Sequence, residues 1–137
     1  MTDSPNIAAT KRFGEIVNTG DLDAFPEVVA EGCVDNDPAP DQGRGPEGFK
    51  TFFTGMRTAF PDLKVEPQTL VADGDQVAFA YEITGTHDGD FNGLAATGKP
   101  IKVRGMQIGR FEDGKMVERW GSSDELGILK QLGVAPA

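Results

Sequence analysis

The dipeptide Asp113-Gly114, set between two alternating apolar runs within residues 101–132, constrains this chain more than any other stretch. Both central positions of a two-residue hairpin turn favour positive φ, which Asp and Gly tolerate. The segment therefore predicts two antiparallel strands, a tight turn between them and a closing helix. Centring the turn there pairs Glu112 with Lys115, Phe111 with Met116, Gly109 with Glu118 and Gln107 with Trp120. Directly paired residues share a face. One face then carries Val103, Gly105, Gln107, Gly109, Phe111, Met116, Glu118, Trp120 and, with the strand extended, Asp124. The other carries Arg104, Met106, Ile108, Arg110, Val117 and Arg119. The first face, mostly apolar and without a cation, suits a pocket wall. The second, with its arginines, suits an outer or interfacial surface.

Upstream of the hairpin the apolar spacing falls into two regimes. In the first half it is helical. Ser4-Pro5 is a start signal for a helix bearing Phe13, Ile16 and Val17, and Asn18-Thr19-Gly20 stops it. Asp21 caps a second short helix with Leu22, Phe25, Val28 and Val29. Residues 33–40 form a short extended piece that passes into a loop. Gly45-Pro46 opens a third helix with Phe49, Phe52, Phe53, Met56 and Phe60 on one side, ended by Pro61. Its clustered phenylalanines, Phe53 among them, predict the inner wall of a core. From residue 63 the period becomes two. Residues 65–72 read as a strand with an edge or bulge at Pro67. After a turn at Asp73-Gly74-Asp75, residues 76–87 put Val77, Phe79, Tyr81, Ile83, Gly85 and His87 on one face. Helices followed by a meander of long strands predict an α+β fold. Helices pack on one face of a curved antiparallel sheet, giving a cone with a pocket inside.

Composition narrows the function. At 137 residues the chain is one domain spanning 1–137, able to bury roughly two-thirds of its unfolded surface. A formal charge of −9 argues against nucleic acid and anionic membranes, which need clustered Lys and Arg. The single cysteine, Cys33, leaves no internal disulfide and points to a reducing compartment. The first residues, MTDSPNIAATKRF, lack the apolar run of a signal peptide, so the expected setting is cytoplasmic. With one His and one Cys, a transition-metal site is not expected. A nucleophilic Ser or Cys would have only His87 for a base, and the nucleophile-elbow pattern is missing. The chemistry left is cofactor-free acid–base work by a carboxylate in an apolar pocket, on a small hydrophobic molecule.

Asp124, four residues past Trp120, is the leading candidate. Desolvated beside an indole, its carboxyl would titrate near neutrality. Its alternative role is structural, because Ser122 and Glu125 resemble a capping box at the start of the last helix. His87 reads either as a donor or proton shuttle at the pocket mouth or as a hydrogen-bonded histidine leaving the core. Tyr81, Gln107 and Asn36 are candidate hydrogen-bonding contacts to a ligand, with Trp120, Phe53 and Met116 as apolar ones. Glu118 is either buried with a partner or turned outward by a bulge.

The runs Phe60-Pro61-Asp62-Leu63, Gly85-Thr86-His87 with Gly89, Phe91 and Gly93, Thr97-Gly98-Lys99, Asp113-Gly114-Lys115, Glu118, Trp120, Asp124 and Gln131-Leu132-Gly133 resemble the SnoaL-like polyketide cyclase (ester cyclase) family. The resemblance extends from residue 7 to residue 133. It implies the α+β cone of the nuclear-transport-factor-2-like superfamily and a homodimer through the sheet. It also implies a cofactor-independent intramolecular aldol condensation with Asp124 as acid–base residue. Two positions depart from the pattern: Asn36-Asp37-Pro38 stands where relatives have His-Asp-Pro, and no histidine lies in residues 101–111. Rival readings are an isomerase of the same fold, an epoxide hydrolase and a non-catalytic binding protein. The hydrolase would need an Asp-Arg-Asp arrangement. The arginines fall on the wrong face for it unless a bulge shifts the register.

Overall fold

The computed structural model describes residues 4–134. The element order is α1 (Pro5–Thr19), a 3-10 helix (Leu22–Glu27), β1 (Val29–Asp35), α2 (Gly45–Ala59), β2 (Lys64–Asp73), β3 (Gln76–Thr86), β4 (Pro100–Glu112), β5 (Lys115–Ser123) and α3 (Glu125–Gln131). The strands form one sheet in the order β1-β5-β4-β3-β2. From β2 to β5 it is an antiparallel meander, while β1 joins the β5 edge in parallel. Long strands with strict alternation of buried and exposed residues, clearest in β3 and β4, identify the concave face on which the helices pack.

Local chemistry sets the helix ends. Ser4 Oγ accepts the Ile7 N–H at 3.2 Å, and Gly20 closes α1 in the left-handed region at φ 80°. The second predicted helix stops early. Pro26 cannot donate to an α ladder, so residues 22–27 form a 3-10 turn, and Val29 begins a strand instead. Asn18 ties α1 to the sheet by exchanging hydrogen bonds with the Val65 backbone at 2.7 and 2.9 Å. Arg57 of α2 donates to the Val17 carbonyl at the end of α1. Phe13, Phe25, Phe49 and Phe53 pack as a ring cluster between the helices, with centroids 5.1–6.1 Å apart. Burying one such ring is worth about 1.5–3 kcal/mol, so the cluster fixes how the helices meet.

The hairpin forms with both turn residues at positive φ, Asp113 at 53° and Gly114 at 77°. Glu112 pairs with Lys115 and Phe111 with Met116, as the sequence predicts. Beyond that point the register shifts by one. Arg110 lies opposite Glu118, Gly109 opposite Arg119, Ile108 opposite Trp120 and Gln107 opposite Gly121. Val117 is the extra residue of a β-bulge, and a one-residue slip sends every later side chain to the other face. Glu118 turns outward and meets Arg110 Nε at 3.2 Å, whereas Arg119 turns inward. The bulge keeps Phe111 and Met116 in the core and still spares Glu118 an unpaired burial.

Candidate active site

Between the concave face and the helices lies a cavity of about 1260 Å³. Its apolar wall includes Phe13, Phe49, Phe53, Phe79, Ile83 and Phe91, and its polar end is built from Asp35, Asp37, Tyr81, Gln107 and Arg119. Arg119 is the centre of that end. Its Nε donates to Gln107 Oε1 at 2.7 Å, and its Nη1 donates to both Asp35 oxygens at 3.0 and 3.2 Å. Nη2 is committed to neither. The guanidinium charge also acts on the Tyr81 phenol. Burial pushes the Tyr81 phenol up, and the Arg119 charge opposes that shift, so at neutral pH the hydroxyl is a neutral donor.

Asp35 holds this cation in place. Its side chain is 8% exposed and that of Arg119 is 16% exposed. Besides Arg119, the carboxylate accepts the Asp37 N–H at 2.9 Å and Gln42 Nε2 at 3.0 Å. With its lone pairs taken up by these donors, Asp35 anchors the guanidinium. Asp37 is different. It is exposed where it borders the cavity; its Oδ2 accepts the Gly121 N–H at 2.9 Å, while its Oδ1 has no protein partner among the described residues. The parallel pairing of β1 with β5 creates the arrangement, because it lays the end of β1 alongside Arg119.

Of the residues the sequence nominated, Tyr81, Gln107 and Phe53 line the cavity. The others lie elsewhere. Asp124 is exposed and caps α3, its Oδ1 accepting the Gly127 N–H at 2.8 Å; it is not desolvated and does not lie against the indole. The cap is therefore Asp124 itself, not Ser122. Trp120 is on the convex face beside Ile108, because the bulge reversed its orientation. His87 is fully buried away from the cavity, between Phe60 and Phe91, where its Nδ1 accepts the Thr97 N–H at 3.2 Å and meets Thr97 Oγ1 at 2.9 Å. Its Nε2 has no hydrogen-bond partner among the described residues. Asn36 is exposed and bonds the Arg119 carbonyl and Glu118 instead of facing the cavity. Met116 is buried in the core near the hairpin turn. The sequence reading missed Asp35, Asp37 and Arg119. The available signal was the Asp-x-Asp spacing at the end of β1 together with the bulge that would bring an arginine inside. Among the described residues no group of three or more His, Cys, Asp or Glu side chains is arranged to hold a metal ion. Nor is any helix among them long and apolar enough to cross a membrane.

Comparison with known proteins agrees with this architecture. The family model for SnoaL-like polyketide cyclase matches residues 7–132. The aklanonic acid methyl ester cyclase DauD of Streptomyces sp. (strain C5) is 29% identical over 136 residues, covering 95% of this chain and 83% of the relative. IdmH of Streptomyces antibioticus is 31% identical with a TM-score of 0.83, over 96% of this chain and 100% of that one. TsrD of Streptomyces laurentii, at 24% identity, shares the fold with a TM-score of 0.87 over 98% of this chain and 99% of its own.

Proposed function

The chain belongs to the SnoaL-like polyketide cyclase family and is an enzyme of that type, and from this premise we propose that it closes a ring by intramolecular aldol condensation on a neutral polyketide ester, without cofactor. The observation that carries the proposal is a fixed guanidinium at the polar end of a cavity with a largely aromatic wall. A carbon flanked by two carbonyls is acidic enough for a carboxylate to deprotonate when the resulting enolate is stabilised. Asp37 takes that proton. Arg119 and the Tyr81 hydroxyl receive the negative charge on the enolate oxygen, where each preorganised donor is worth about 10²–10³ in rate. The enolate carbon attacks the acceptor ketone, a C–C bond forms, and the new alkoxide recovers the proton from Asp37. Product and substrate are isomers, so no water or redox partner enters the balance. An apolar cavity favours this chemistry because hydrogen bonds to the enolate strengthen where water is scarce.

Two accompanying assignments belong to the same proposal. The protein acts in a reducing, cytoplasmic setting, supported by its one buried free cysteine. It is a homodimer through the convex face of the sheet, supported by an exposed apolar patch there: Val71 is 66% exposed and Met106 56%, beside Ile108 and Trp120. The decisive assay incubates the protein with aklanonic acid methyl ester and follows a cyclised isomer of unchanged mass. Conversion is the expected result, and its absence would overturn the substrate class.

A second reading has one specific observation behind it. The bulge turns Arg119 inward onto Asp35, and Asp37 lines the same cavity, an Asp-Arg-Asp set of the kind an epoxide hydrolase uses to activate water. In H₂¹⁸O, epoxide opening adds one labelled water to the product, whereas aldol cyclisation leaves the mass unchanged. The outcome separates the two.

A further inference from the structure

We infer that Gly121 and Gly105 are positioning residues: their missing side chains form the seat on which the Arg119 guanidinium and the Tyr81 hydroxyl rest. The inference deepens the assignment of Arg119 and Tyr81 as enolate donors and rests on it. Arg119 and Gly121 are alternate residues on the same face of β5, so a side chain leaning along the strand from 119 passes over 121. A Cβ built on Gly121 would lie 2.6 Å from Arg119 Cζ and 3.0 Å from Nη1. Gly121 is also directly opposite Gln107, which accepts from Arg119 Nε. With nothing at 121, the guanidinium lies flat enough on the sheet to reach Gln107 and Asp35 together. A methyl group there lifts it off.

Gly105 does the same for Tyr81. The two are paired across β3 and β4, and a Cβ on Gly105 would come within 2.6 Å of the Tyr81 hydroxyl oxygen. The phenol therefore lies across Gly105 of β4, where the Arg119 charge acts on it. Both reactive groups hover over a glycine, and both glycines occupy inward positions where a β-strand ordinarily carries a side chain to pack. Neither has a positive φ, so neither is needed for backbone conformation. Space is what they supply.

Arginine side-chain NMR tests this without any ligand. The Arg119 Nε–H, held at 2.7 Å from Gln107, should give a dispersed and slowly exchanging ¹⁵N signal, identified by its loss in Arg119→Lys. Gly121→Ala should return that signal to the position of exposed arginines and speed its exchange by about tenfold or more. Gly32→Ala, where an added Cβ meets nothing within 4 Å, should leave it unchanged. A Gly121→Ala protein that keeps the signal overturns the inference. Because the blocked atoms belong to a flexible side chain, any loss of stability in Gly121→Ala should vanish in an Arg119→Ala background. A loss that persists there would mean Gly121 serves the backbone, again overturning the inference. Neither readout uses turnover, so failure here is distinct from failure of the cyclase assignment, which the activity of Arg119→Gln decides.

Discussion

Replacing Asp35 by Asn removes the charge that holds Arg119 while keeping the size of the side chain. The wild-type carboxylate accepts from Arg119 Nη1, the Asp37 amide and Gln42. In Asp35→Asn one oxygen becomes an NH₂, which faces donors with a donor. The guanidinium also loses its counter-charge. Removing one partner of a buried ion pair costs about 3–5 kcal/mol, and since this pair borders an open cavity the expected loss is about 2–3 kcal/mol. Unfolding entropy of about 2.1 cal/mol/K per residue over a chain of this size makes 1 kcal/mol worth about 3.5 °C, so Tm should fall by about 7–10 °C. Calorimetry measures it. The control is Glu27→Gln, which breaks the exposed Arg12–Glu27 pair, 2.9 Å long, and should cost less than about 1 kcal/mol. If the two variants lose the same small amount, Asp35 does not anchor a desolvated cation and the account of the polar end fails.

Further outcomes follow from burial and from the bulge. Burial, aided by the Asp35 charge, pushes the Cys33 thiol up to about 11. Alkylation at pH 8 should accordingly be about a hundredfold slower than for a free thiol until the protein is denatured. The same shift has a stability consequence. The unfolded thiol ionises near pH 8.5 and the folded one near 11, so the Cys33 contribution is intact below about pH 8.5 and is lost as pH climbs towards 11. Denaturant titrations of wild type and Cys33→Ala across that window should diverge; parallel curves would contradict the shift. Met106→Lys puts a cation in the convex apolar patch and should convert a dimer to a monomer in light scattering, with the cavity intact. A wild type that is already monomeric at high concentration would refute the dimer.

The fold was legible in the sequence because its signals are local. Asp113-Gly114, Pro61, Ser4 and Gly20 each act on their own turn or helix end, and the alternation in β3 reports the face directly. The site was less so. From residue 116 to residue 120 the chain reads Met-Val-Glu-Arg-Trp, with an apolar and a charged residue available to either face, so alternation could not reveal the slip at Val117. That slip decided whether Trp120 or Arg119 faced the cavity. Asp35 gave no sign of its burial because its partner is 84 residues away, reached only through the parallel pairing of β1 and β5. Tyr81 and Gln107 face the cavity as their spacing indicates, since their strands alternate without interruption up to those positions.

The most direct measurement compares cyclisation by Arg119→Gln with that by Asp124→Asn. With the guanidinium as the enolate donor, Arg119→Gln should lose about 10²–10³ in turnover. Asp124→Asn, which alters only an exposed helix cap, should stay within about threefold of wild type, since Asn caps as well as Asp. The reverse pattern, an active Arg119→Gln and an inactive Asp124→Asn, would move the chemistry out of the cavity's polar end and contradict this account.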